Sequence, residues 1–221
     1  TYGDANFNLA ATSSSTGAFT FNIIDANVAT VTGSNTTIVG AGTTTVTVTQ
    51  AANSNYNAAT ATMTLTVNKA DHTITFDDLT KTYEDPDFNL VATSSSTGAF
   101  TFDIMDANVA TVTGSITTIV GAGTTTVTVT QAADSNYNAA TATMTLTVNK
   151  ADPSIIFNDV IATYGQVDFD LTSTSSSTGA LTYNILDANV ATISDKTVTI
   201  VGAGLTTVTL NQAADSNYNA A

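Results

Sequence analysis

Along much of this chain, apolar and polar residues change places at every step. Val127 and Val129 alternate with Thr126, Thr128 and Thr130, and Met144, Leu146 and Val148 alternate with Thr143, Thr145 and Thr147. A period of two puts one set of side chains on each face of an extended strand, so both runs predict half-buried β-strands. Phe100, Phe102 and Ile104 form another inward row, as do Ile74 and Phe76. No segment keeps a helical period. Turn residues part the strands: Ser94–Ser95–Ser96–Thr97–Gly98, Gly121–Ala122–Gly123, and Asp134–Ser135–Asn136–Tyr137–Asn138. The expectation is seven or eight short strands per unit.

That unit recurs. Tyr2, Tyr83 and Tyr164 stand 81 residues apart, as do Gly17, Gly98, Gly179 and Gln50, Gln131, Gln212. Residues 1–69 and 82–150 differ at only eight positions, while the third copy is more diverged, with Asp195–Lys196 where the others have Gly33–Ser34 and Gly114–Ser115. A solenoid rung takes about 20 to 50 residues, so an 81-residue unit fits a small domain with its own core. The predicted fold class is all-β: tandem immunoglobulin-like β-sandwich repeats forming an extended rod. The predicted domains are residues 1–69, lacking a first strand like His72–Phe76; residues 70–150, complete; and residues 151–221, lacking a last strand like Thr141–Val148. The junctions at Asn68–Asp71 and Asn149–Asp152 have no glycine spacer, which predicts a stiff string of copies. The unmatched ends predict a window on a longer chain. A sharper reading has neighbouring chains supplying the missing strands through unpaired edges.

Composition narrows the partners. The net charge is −14, from 18 acidic against 4 basic residues, and there is no cysteine. Phosphate neutralisation needs clustered Lys and Arg, so nucleic acid is not an expected partner, nor is an anionic membrane surface. No apolar run approaches the roughly 18 residues of a membrane helix, so no membrane insertion is expected in this segment. Thr1 is expected to lie inside a longer, processed chain. About one residue in five is threonine, which favours strands with a wet outer face.

Thr1–Tyr2–Gly3–Asp4 and Thr163–Tyr164–Gly165, each followed by Phe7 or Phe169, come shortly after a Lys150–Ala151–Asp152-type junction. This resembles the MBG domain, YGX type. Asp25–Val31 followed by Gly40–Thr43 is also similar to bacterial Ig-like (Big) domains. The resemblance spans all three copies, and the middle one departs from it with Glu84 in place of the motif glycine. If that glycine needs a positive φ, the turn at Glu84 must differ. The resemblance implies a giant bacterial surface adhesin, extracellular, like the gliding-motility filaments of Bacteroidota, with adhesion residing in a distal domain.

No residue is assigned as catalytic, cofactor-binding or metal-ligating. The only histidine, His72, is replaced by Pro153 in the third copy. The acids Asp77–Asp78, Glu84, Asp85 and Asp87 have few counterparts in the first copy, whose only acids are Asp4 and Asp25. Gly40–Ala41–Gly42 lacks the third glycine and following helix of a phosphate loop. Calcium is the one ion left open. The Asp134 loop opens like a calcium loop but lacks its glycine and closing glutamate, and Asp71 and Asp152 sit at junctions. Lys69 and Lys150 are expected to be exposed rather than cross-linked. Tyr56, Tyr137 and Tyr218 are expected to plug the end of a sandwich. The chain therefore reads as a non-enzymatic stalk of an adhesin filament, its partners being adjacent repeats. The alternative is a module that itself binds a surface glycan or neighbouring chains. The run Thr43, Thr45, Thr47, Thr49 also raises ice binding, although twisted strands suit it poorly.

Overall fold

A computed structural model describes residues 1–221, all of it strand, turn and loop. The first copy contributes β1 (Phe7–Asn8), β2 (Phe19–Ile23), β3 (Ala29–Thr32), β4 (Asn35–Ile38), β5 (Gly42–Gln50) and β6 (Ala59–Val67). These pair as β1-β4-β3 and β2-β5-β6. The middle copy contributes β7 (Ile74–Thr75), β8 (Leu79–Thr82), β9 (Phe88–Asn89), β10 (Thr93–Ser94), β11 (Phe100–Ile104), β12 (Ala110–Thr113), β13 (Ile116–Ile119), β14 (Gly123–Gln131) and β15 (Ala140–Asn149). Its sheets are β12-β13-β9, β11-β14-β15-β8 and the pair β10-β7. The third copy has β16 (Ile155–Phe157), β17 (Phe169–Asp170), β18 (Ser173–Ser175), β19 (Leu181–Ile185), β20 (Ala191–Ser194), β21 (Thr197–Ile200) and β22 (Val208–Gln212), paired as β17-β21-β20, β19-β22 and β16-β18. No sheet draws strands from two copies.

The middle copy thus has nine strand segments, more and shorter than the periodicity implies. Only β14 and β15 are long, because there the alternation runs unbroken. Val127, Val129 and Leu146 are fully buried, and Met144 and Val148 nearly so. In the third copy Leu171, Ala191 and Val198 form a core against Phe157, Phe169, Tyr183, Ile193 and Val208, which come from all three of its sheets. Facing sheets around such a core make a β-sandwich. In the first copy Met63 is 51% exposed, against 5% for its counterpart Met144. The middle copy lays β8 along β15.

The chain forms two compact units. One comprises Thr1–Phe76, Val91–Phe102 and Thr128–Thr143, and the other comprises Asp77–Leu90, Asp103–Val127 and Met144–Ala221. The junction after the first copy lies wholly within the first unit. The junction after the middle copy lies wholly within the second.

The expected change of turn at Glu84 does not occur. Gly3 and Gly165 have φ of 85° and 87°, and Glu84 takes φ of 74° in the same turn. An L-residue there costs about 1 kcal/mol or more against glycine, so something must hold Glu84 in place.

Candidate functional site at the joint between copies

Of the three tyrosines expected to plug a sandwich end, Tyr137 and Tyr218 sit where one copy meets the next, and Tyr56 is 48% exposed. In the first joint, the segment Lys69–Asp71 is held against the Asp134–Asn138 loop. The Ala70 amide donates to the Asn136 carbonyl and the Asn138 amide to the Ala70 carbonyl, both at 2.9 Å. Lys69 Nζ donates to the Asp134 carbonyl (2.6 Å) and Asn138 Nδ2 to Asp71 Oδ1 (2.7 Å). The same loop then reaches the preceding copy. Asn136 Oδ1 accepts from the Ala41 amide (2.9 Å), and Tyr137 meets Tyr2 edge to face, centroids 5.4 Å apart at 86°.

The second joint repeats this set. Ala151 exchanges backbone bonds with Asn217 (2.9 Å) and Asn219 (2.8 Å). Lys150 Nζ donates to the Asp215 carbonyl (2.5 Å), and Asn219 Nδ2 to Asp152 Oδ1 (2.8 Å). The Ala122 amide donates to Asn217 Oδ1 (2.9 Å), and Tyr83 and Tyr218 pack at 5.4 Å and 86°. Lys69 and Lys150 are exposed as expected, with the ammonium of each on a backbone carbonyl. Asp71 and Asp152, the junction calcium candidates, accept from asparagine amides. No three His, Cys, Asp or Glu side chains are placed so that together they could hold a metal ion.

Local structure sets these partners in place. The Tyr2 and Tyr83 amides bond the Asn68 and Asn149 carbonyls at 2.8 Å, so each copy's last strand fixes its own tyrosine. The Gly-Ala-Gly hairpin receives the asparagine because its first residue has no side chain. A Cβ on Gly40 would lie 2.6 Å from the Asn27 carbonyl oxygen and 3.2 Å from Asn136 Oδ1, and Gly121 is as tight. Each joint also has an anchor of its own. At the second, the Tyr218 hydroxyl donates to Glu84 Oε1, a bond that raises the phenol's pKa and engages the residue held at positive φ. At the first, His72 packs its ring 5.3 Å from Tyr137.

The loop is shaped by one carboxylate. Asp134 Oδ1 accepts from the Asn136 and Tyr137 amides (2.8 and 2.7 Å), and Oδ2 accepts from Ser96 Oγ, the Thr97 amide and Thr97 Oγ1 (3.0, 2.8 and 2.9 Å). Asp215 makes the same bonds in the third copy. The spacing that resembles the opening of a calcium loop is thus an aspartate turn pinned to the Ser-Thr-Gly loop. In the first copy Asn53 keeps the geometry: Oδ1 accepts from Asn55 and Tyr56, and Nδ2 donates to Ser15 and Thr16.

The Thr97 amide, then the Asn136 amide, hold Asp134 well below the usual carboxylate range. For Asp215, desolvation pushes upward, but the bonds from Thr178, Asn217 and Tyr218 outweigh it. A depressed folded pKa gives stability that is complete above the unfolded value of about 3.9 and is lost as pH falls through the folded one. Urea midpoints of the wild type should therefore fall more steeply below about pH 4 than those of Asp134→Asn/Asp215→Asn. Equal acid slopes would show that these carboxylates do not carry the linkage.

The chain matches no family model and no curated protein. Among solved structures, human protocadherin-24 EC1-2 is 12% identical with a TM-score of 0.29, over 65% of this chain and 87% of that one. Drosophila N-cadherin EC1-3 is 13% identical with a TM-score of 0.36, over 97% and 89%. Domains 4–9 of the surface layer protein SbsC are 16% identical with a TM-score of 0.29, over 99% of this chain and 41% of that one. The β-sandwich itself stands on this chain's own strand pairing and core.

Proposed function

We propose that these copies are non-catalytic spacer repeats in the stalk of a long extracellular adhesin, of the MBG or bacterial Ig-like kind, that holds a distal adhesive domain away from a bacterial surface. The observation that carries this reading is the reuse of one bond set at both joints. A spacer has to transmit position from copy to copy, and a joint of four backbone or side-chain bonds, an asparagine cap and a tyrosine pair restricts bending. The reading is supported by the partners of the groups singled out for chemistry: Asp134 accepts from the Thr97 amide, and His72 Nε2 donates to Gln131 Oε1.

Small-angle scattering on residues 1–221, paired with Asn136→Ala/Tyr137→Ala/Asn217→Ala/Tyr218→Ala, tests the reading. The wild type is expected to give one extended, concentration-independent species. The quadruple variant should retain its strand content and give a broader distribution of lengths. A wild type as broad as the variant would sink the stiff stalk, and growth with concentration would favour the chain-to-chain alternative.

A further inference from the structure

We propose that the second joint is a site of oxidative cross-linking, where Tyr83 and Tyr218 couple to dityrosine with Glu84 as the proton acceptor. Among the seven tyrosines, two pairs meet: Tyr2 with Tyr137 and Tyr83 with Tyr218, each edge to face with centroids 5.4 Å apart. Tyr183 packs on Phe157 instead, and Tyr56 and Tyr164 are 48% and 68% exposed. The chain has no cysteine, so no disulfide can close either joint. Two phenols already held in contact need no further encounter to couple. Rotation about their side-chain bonds brings the ring edges together.

Coupling removes one electron and one proton from each phenol. The two phenoxyl radicals bond ortho carbon to ortho carbon, and the ortho hydrogens move to the oxygens, restoring two hydroxyls. A haem peroxidase working with hydrogen peroxide supplies the oxidising power: one peroxide takes up the two electrons and two protons and leaves as two waters.

The two joints differ in where the first proton can go. At the second, the Tyr218 hydroxyl donates to Glu84 Oε1, and Tyr218 is only 7% exposed. A phenol that loses an electron becomes a strong acid, and away from water its proton needs a base already in place. The Glu84 carboxylate is that base. At the first joint its counterpart is Gly3, which has no side chain to take a proton from Tyr137. His72 does not replace it, because Nε2 is engaged with Gln131 and the buried Nδ1 has no partner. Glu84 also keeps a φ of 74°, where the other copies have glycine. Backbone strain of that kind collects at functional sites, and here the strained residue is the one bonded to the phenol.

That such a bond would stiffen a stalk rests on the stalk reading, but the chemistry does not, and scattering decides the stalk separately. The test uses the 221-residue chain carrying Tyr56→Phe/Tyr164→Phe, which removes the two most exposed phenols. It is treated, when dilute, with a haem peroxidase and hydrogen peroxide. The monomer should gain dityrosine fluorescence and lose two hydrogens. Its digest should yield a peptide pair joining Tyr83 to Tyr218 well before any pair joining Tyr2 to Tyr137. Tyr218→Phe, which keeps the ring and drops the hydroxyl, should abolish that product while the protein stays folded. Glu84→Gly, which copies the first joint, should slow it to the rate seen there. Three results would each overturn the proposal: fluorescence confined to covalent dimers, a monomer left unlinked under a treatment that couples free tyrosine, or Tyr83–Tyr218 coupling that is indifferent to Glu84→Gly.

Discussion

Gly98→Ala is expected to unfold the middle copy or to cost it about 3 kcal/mol or more. Gly98 is not among the residues with positive φ, so the demand on it is space. A Cβ there would lie 1.8 Å from the Ala132 carbonyl oxygen and 2.8 Å from its carbon, both backbone atoms that cannot rotate away. The Gly98 carbonyl also accepts from Gln131 Nε2 at 2.8 Å, and its amide donates to Ser96 Oγ at 3.1 Å, so the segment is held from both sides. The same collision waits at Gly17 (1.9 Å) and Gly179 (1.7 Å). Gly114→Ala is the contrasting case. Gly114 has φ of 64°, and a Cβ there would meet nothing within 4 Å, so only backbone strain of about 1 kcal/mol is at stake. The third copy already carries Asp195 there at φ of 54°. Urea denaturation of the two variants checks the ordering, and a Gly98→Ala chain as stable as Gly114→Ala would mean the loop can retreat.

These two glycines show what a sequence pattern can and cannot carry. In the sequence Gly98 closes a Ser-Thr-Gly turn, and Gly114 stands out only because the third copy has Asp195 in its place. Only the folded chain separates the one that needs φ freedom from the one that needs room, because the close neighbour of Gly98 lies 34 positions further along. The alternation of Val127, Val129, Met144 and Leu146 was legible because period two is a local property of an extended backbone. The 81-residue repeat was legible because it needs only a comparison of the chain with itself.

The joint was not legible, although all its residues recur. Tyr137 and Tyr2 are separated by 135 positions, and no periodicity says which loop of one copy meets which turn of another. Glu84 misled in a different way. Its substitution for glycine suggested an altered turn, whereas the backbone kept its φ and the side chain took up the Tyr218 hydroxyl. Threonine hid a further detail. Thr36 and Thr117 look like outward residues of a Thr-rich strand, yet both are fully buried with hydroxyls that lack a partner. The third copy places Val198 at that position and has no hydroxyl to bury.

Gln131→Ala should destabilise the middle copy by about 3 kcal/mol, because the glutamine is a buried crosspiece between four partners. It is fully buried. Its Nε2 donates to the Ser96 and Gly98 carbonyls at 3.0 and 2.8 Å, which leaves Oε1 to accept from Ser94 Oγ (2.6 Å) and His72 Nε2 (2.8 Å). That orientation fixes the imidazole as the Nε2–H tautomer, with Nδ1 buried and without a partner. Truncation strands the Gly98 carbonyl and a ring N–H and leaves the Ser96 carbonyl and the Ser94 hydroxyl proton only their shared 3.4 Å bond, each loss costing about 1 kcal/mol or more when water cannot reach the group. Gln50 holds the Ser15 and Gly17 carbonyls at 3.0 Å but meets no histidine, so Gln50→Ala should cost less, about 2 kcal/mol. Hydrogen exchange can separate the copies on peptides that contain Asn22 or Asp103, which differ in mass. Greater loss of protection at Gln131 than at Gln50 is expected, since His72 links that crosspiece to Tyr137 and so to the joint. Equal losses would mean that the histidine contributes nothing and that the crosspiece and the joint are not coupled through it.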